Sequence, residues 1–131
     1  MNALGRHLLL DLKDCNEEVL NDLNFLKDSL LNAAIEADAT VLGESFHRFD
    51  PQGVSGVVIV AESHLFIHTW PEYGYAAVDI FTCGDSTSPQ KAAQFLIEKL
   101  GAKSSSTVEL QRGVHPLAEV LTRGTKTIRT K

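Results

Sequence analysis

The apolar positions of the chain fall into stretches of two different periods. Residues 5–12 (GRHLLLDL) alternate well enough to predict a first strand. Asp14 or Asn16 then serves as a helix N-cap, with Glu17 and Glu18 in the first turn, where the helix dipole favours acids. Val19, Leu23, Leu26, Leu30, Ala33 and Ala37 recur at steps of four and three, one stripe on a helix of about five turns. Residues 39–48 read as a β-type segment, and Pro51 with Gly53 marks a turn. Residues 54–61, 64–70 and 75–83 read as strands, with a turn at Pro71 to Gly74. A second helix has Ser88 as its cap and Pro89 at its first position. Its stripe is Ala92, Ala93, Leu96 and Leu100, and Gly101 closes it. Residues 105–110 predict a last strand.

The order is β-α-β-β-β-β-α-β. Strands joined by tight turns are antiparallel neighbours. Two helices cover one face of the sheet, which predicts a two-layer α+β domain spanning residues 1–131. The other face also needs cover, and pairing of two copies into an αββα dimer would supply it.

Composition narrows the function without naming it. The net charge of −5 argues against nucleic acid or an anionic membrane as partner. The charge is uneven: residues 1–62 sum to −7 and residues 63–131 to +2, with a basic tail from Arg123 to Lys131. The opening MNALGRHLLLDL lacks the apolar core of a signal peptide, and no apolar run nears the ~20 residues of a membrane span. Two cysteines, Cys15 and Cys83, make neither a disulfide framework nor a zinc cluster. A cytoplasmic protein without a metal is the expectation.

Candidate chemistry concentrates in VIVAESHLFIHTW, residues 58–70. Two apolar runs meet at Glu62-Ser63-His64 with no Gly, Pro or Asn between them. In the second run His64, Phe66, His68 and Trp70 share a face, and Leu65, Ile67 and Thr69 share the other. In the next strand Tyr75, Ala77, Asp79, Phe81 and Cys83 share a face. An imidazole, an indole and a thiol on neighbouring strands could then line one pocket. Singly, each has a plain structural reading: a histidine satisfying one hydrogen bond, a buried thiol, a core indole, a turn hydroxyl and a solvated turn acid at Glu72.

The run as a whole is distinctive. ESHLFIHTWPEYGYAAVDIFTCG at 62–84 resembles the core of the S-adenosylmethionine decarboxylases of the short prokaryotic type. FHRF at 46–49, GVSGVV at 53–58, GRHLLLDL at 5–12 and QRG at 111–113 are similar to that family's flanking segments. The resemblance implies a proenzyme that cuts itself between Glu62 and Ser63 into a 1–62 β chain and a 63–131 α chain. Ser63 Oγ attacks the Glu62 carbonyl, the amide becomes an ester, and elimination leaves a pyruvoyl cofactor at residue 63. That cofactor binds the substrate amine as a Schiff base and accepts the electrons released with carbon dioxide. Backbone strain at 62–63 would help the first step.

The resemblance also implies His68 as base for the elimination and Ser55 as a processing hydroxyl. It implies Cys83 as the acid that protonates the substrate α-carbon. Phe49 and Trp70 resemble the pair that holds the adenine, and Glu72 the acid that takes the ribose hydroxyls. The implied substrate is S-adenosyl-L-methionine, its product S-adenosylmethioninamine an aminopropyl donor for spermidine, and the implied assembly a homodimer of processed protomers. A pyruvoyl-dependent ornithine or arginine decarboxylase on the same scaffold is one alternative. An uncleaved ligand-binding relative is another.

Overall fold

A computed structural model describes residues 3–84 and 87–114. Six strands form one sheet: β1 (Ala3–Lys13), β2 (Val41–Arg48), β3 (Val54–Val60), β4 (Ser63–Trp70), β5 (Tyr75–Cys83) and β6 (Ser104–Val114). Their spatial order is β2-β3-β4-β5-β1-β6, and every neighbouring pair is antiparallel. The helices are α1 (Glu17–Leu20), α2 (Leu23–Glu36) and α3 (Pro89–Lys99). The predicted α+β class and element order hold. The basic stretch Arg123 to Lys131 lies outside the described residues.

The single five-turn first helix needs correction, because it is broken. Asn16 caps α1, its side chain accepting from Glu18 N at 2.9 Å and Val19 N at 3.2 Å. Asp22 caps α2 by accepting from Phe25 N at 3.0 Å. Asn21, between them, accepts from Gly53 N at 3.0 Å. Two polar side chains in succession therefore bond outside the helical ladder, and the ladder restarts. The stripe is kept only beyond the break: Leu26, Leu30, Ala33 and Ala37 are buried, while Val19 and Leu23 are half-buried and Leu20 fills the core in α1 instead. Strand β6 runs to Val114, beyond the predicted 110.

One face of the sheet is covered by α2 and α3. Leu8, Leu10, Leu12, Val54, Val58, Leu65, Ile67, Val78 and Ile80 point there and are buried. Each such side chain contributes roughly 1.5–3 kcal/mol on leaving water. Among the described residues no helix covers the other face. Ile59, Trp70 and Val108 stand on it at 48%, 38% and 54% exposure, which leaves apolar surface open to a partner.

Candidate active site

The β3–β4 hairpin closes with Val60 paired to Ser63, so its two turn residues are Ala61 and Glu62. Turns this tight ordinarily put Gly or Asn at positive φ. Neither is present, and the positive angle falls on Ser63, at φ 153°. Holding a residue other than glycine there costs about 1–3 kcal/mol. Three contacts fix the turn. Cys83 N donates to the Glu62 carbonyl at 2.9 Å, Ala61 N donates to Thr40 O at 2.8 Å, and Thr40 N donates to Glu62 Oε1 at 3.1 Å. Ser63 pairs across the ladder with Thr82, which is buried. Cys83 ends β5 as an exposed free thiol. Strand alternation sends it to the open face, opposite to Thr82.

A second group lies further along the same strands. Ser55 on β3 and His68 on β4 are cross-strand partners, and Ser55 Oγ shares a hydrogen bond of 2.6 Å with His68 Nδ1. The His68 ring stacks between Phe66 (centroids 5.0 Å) and Trp70 (5.9 Å). Trp70 stacks on its register partner Tyr75 at 5.2 Å. Tyr75 OH donates to Asp11 Oδ1 at 2.5 Å. That hydrogen bond, with burial and the carboxylate charge adding to it, pushes the Tyr75 hydroxyl up to about 12. Phe49 is exposed, sits edge-on to His47 at 4.7 Å, and is anchored by Phe49 N donating to Gly53 O at 2.8 Å. Glu72 is exposed in a 3-10 turn, Pro71–Tyr73, which Gly74 ends at φ 60°. A shallow cavity of about 200 Å³ opens beside Ser55, lined also by Ser45, His47 and Phe66. A wider cleft of about 590 Å³ between α1 and the loop after β2 contains none of the catalytic candidates.

The two groups do not meet within one chain, which corrects the expectation of one pocket for imidazole, indole and thiol. His68 lies five positions from Ser63 on β4, about 16 Å at the rise of a strand. Cys83 lies six positions from Ala77, the partner of His68, about 20 Å away. Between them on the open face sits a cluster that the sequence did not single out. His7 packs on Phe81 at 5.2 Å and edge-on to His64 at 6.3 Å. Arg112 Nη1 donates to His7 Nδ1 at 3.3 Å, and His7 Nε2 lies 3.8 Å from Asp79 Oδ2. Burial lowers the His7 pKa, with Asp79 opposing the shift and Arg112 adding to it. Thr82, Tyr75 and Asp11 also gained a place only from the register. Among the described residues no three His, Cys, Asp or Glu are grouped to hold a metal ion. No helix among the described residues is long and apolar enough to cross a membrane.

Residues 6–113 match the family model described as S-adenosylmethionine decarboxylase. The chain belongs to that family. An S-adenosylmethionine decarboxylase proenzyme of Thermodesulfovibrio yellowstonii is 56% identical over 87% of this chain and 84% of its own. A proenzyme of the same name from Carboxydothermus hydrogenoformans is 52% identical over 87% of this chain and 90% of its own. The crystal structure of the Aquifex aeolicus adenosylmethionine decarboxylase superposes with a TM-score of 0.82 at 34% identity, covering 87% of this chain and 94% of that one. Family and fold together make this chain an enzyme of the decarboxylase class. The S-adenosylmethionine decarboxylase resemblance read from residues 5–84 thus extends through α3 and most of β6.

Proposed function

We propose that the chain is a proenzyme that cuts itself between Glu62 and Ser63 and then decarboxylates S-adenosyl-L-methionine. The observation that carries this reading is the hairpin tip. A serine at positive φ follows a carbonyl already held by the Cys83 N–H. Attack of Ser63 Oγ on that carbonyl places negative charge on the Glu62 oxygen. A fixed backbone donor aimed at the oxygen stabilises that charge. Relief of the Ser63 backbone on cleavage favours the same direction. A serine at 63 held in this way fits conversion to a pyruvoyl group, which would stand at the new N-terminus of residues 63–131. Once formed, that group supplies the electron sink for loss of carbon dioxide.

The remaining steps use groups from both ends of the sheet. His68, in its 2.6 Å bond with Ser55, is the base that removes the Ser63 α-proton, and Ser55 is its hydroxyl partner. Cys83 holds the proton delivered to the substrate α-carbon. Phe49 and Trp70 grip the adenine, and Glu72 accepts from the ribose hydroxyls. The separation of about 16 Å between Ser63 and His68 requires a second copy. A two-fold axis lying across the strands, between two open faces, reverses strand direction. It carries His68 and Ser55 of one chain to Ser63 and Cys83 of the other. The apolar residues on the open face support this pairing, since Ile59 and Val108 would be covered by it.

The test is the denaturing mass of the purified protein. Two fragments, 1–62 and 63–131, with the second lacking a free N-terminal amine, support the reading. A single intact chain of 14.3 kDa after prolonged incubation contradicts it.

A further inference from the structure

Thr82 is 1% exposed, and its Oγ1 has no hydrogen-bond partner among the described residues. A buried hydroxyl ordinarily finds a partner, so an orphan at this position needs a reason. Its register partner across the β4–β5 ladder is Ser63. Residues directly opposite in an antiparallel pair leave the sheet on the same face, with Cβ atoms about 4.5–5.5 Å apart. Its neighbour on the other side, Arg6, is engaged with Glu109 at 2.9 Å and does not satisfy it. The next residue, Cys83, donates its N–H to the Glu62 carbonyl. Two adjacent residues of β5 thus flank the scissile unit: Cys83 through its backbone hydrogen bond to Glu62, and Thr82 by its register opposite Ser63.

We propose that Thr82 is a positioning residue for self-cleavage: its hydroxyl, unpartnered in the resting chain, accepts a hydrogen bond from Ser63 Oγ–H when the Ser63 side chain turns to attack the Glu62 carbonyl. This rests on the proposed cleavage at 62–63. The bond orients a lone pair of Oγ toward the Glu62 carbonyl carbon. The Oγ–C bond then forms, the C–N bond between residues 62 and 63 breaks, and the Oγ proton ends on the Ser63 nitrogen. No further reactant is needed. Thr82 therefore acts before the ester exists, and its loss holds the chain longer as an intact amide. The β-branched shape of the residue suits a strand, so its hydroxyl can be removed with little change of volume.

The experiment follows cleavage of freshly made full-length chain on denaturing gels, for wild type, Thr82→Val, Thr82→Ser and Thr82→Ala. Losing a positioning hydroxyl should slow the Val variant at least tenfold, short of the ~10²–10³-fold loss of a direct oxyanion donor. Thr82→Ser should stay within about threefold of wild type, because it keeps the hydroxyl. The Val variant should melt no lower than wild type, since it removes an unpartnered buried polar atom. Hydroxylamine should release no extra fragment from it, because no ester accumulates. Cleavage of Thr82→Val at the wild-type rate overturns the proposal, as does an accumulating ester or equal slowing in Thr82→Ser. If Thr82→Val does not fold, wild-type cleavage by Thr82→Ala overturns it instead. A wild-type chain that never cleaves removes the maturation reading and this inference with it. A wild type that cleaves beside an equally fast Val variant removes the role of Thr82 alone.

Discussion

The two ends of the β3–β4–β5 ladder are built from opposite resources. The hairpin end has a serine hydroxyl, a backbone at φ 153° and a fixed donor on the carbonyl, but among the described residues no imidazole bonded to a hydroxyl. The far end has an imidazole bonded to a hydroxyl at 2.6 Å and a row of stacked rings, but no strained peptide. On the proposed function, one end supplies geometry for bond breaking, and the other supplies proton transfer and aromatic surface. Neither is a complete site. The difference teaches that Ser63 and His68 are kept apart within one chain, and on the proposed function their chemistry waits on a second copy.

The largest expected effect breaks the hairpin end outright. Ser63→Ala should leave the chain whole on a denaturing gel at all times, because no β-leaving group remains. Any pyruvoyl N-terminus in that variant would remove Ser63 from the account. His68→Ala should stop later, and hydroxylamine should then cut the stalled ester at 62–63. Normal processing of His68→Ala would place the base elsewhere. Cys83→Ala keeps the backbone donor to Glu62, so it should still cleave. Its turnover should fall by about 10²–10⁴-fold, the usual loss for a positioned acid. The mass of residues 63–131 should also drift during reaction as misplaced protonation consumes the cofactor. A stable mass and normal turnover would reduce Cys83 to an ordinary thiol.

The smallest effect probes the aromatic end. The chain has one tryptophan, so Trp70 emission reports this region directly. Tyr75 has a folded pKa raised to about 12 by its bond to Asp11. A raised pKa means the stabilisation is fully present below the ordinary tyrosine value near 10. It is lost as pH rises through about 12. Removing the acceptor with Asp11→Ala should bring the Tyr75 ultraviolet titration down toward 10 and make Trp70 emission more quenchable. An unchanged titration would mean that Asp11 does not hold the ring.

Much of the architecture could be read from periodicity alone. Strands β1, β4 and β5 alternate because one face meets the helices, and α3 is bracketed by Pro89 and Gly101. The break at Asn21 and Asp22 is hidden because the apolar spacing of the sequence runs through it. Its cause is a contact to Gly53, 32 residues away. Strand β6 was underestimated because its polar SSSTVELQRGV is an exposed edge with little alternation. The candidate site residues are legible as a motif, but a motif does not show how far apart β4 holds Ser63 and His68. Thr82, and the Asp11–Tyr75 pair 64 residues apart, depend on register between distant strands. No local pattern encodes that register.

The most direct test of the two-copy account mixes two disabled chains. Ser63→Ala keeps a working His68, and His68→Ala keeps a working Ser63. Each alone should remain uncleaved to 1–62 and 63–131. Refolded or co-expressed together, they should form mixed pairs in which His68 of the Ser63→Ala chain serves Ser63 of the other. Mass spectrometry should then find a pyruvoyl-capped 63–131 fragment carrying the His68→Ala substitution. If mixed pairs form and that fragment never appears, the two ends of the ladder do not meet across copies, and the account is wrong.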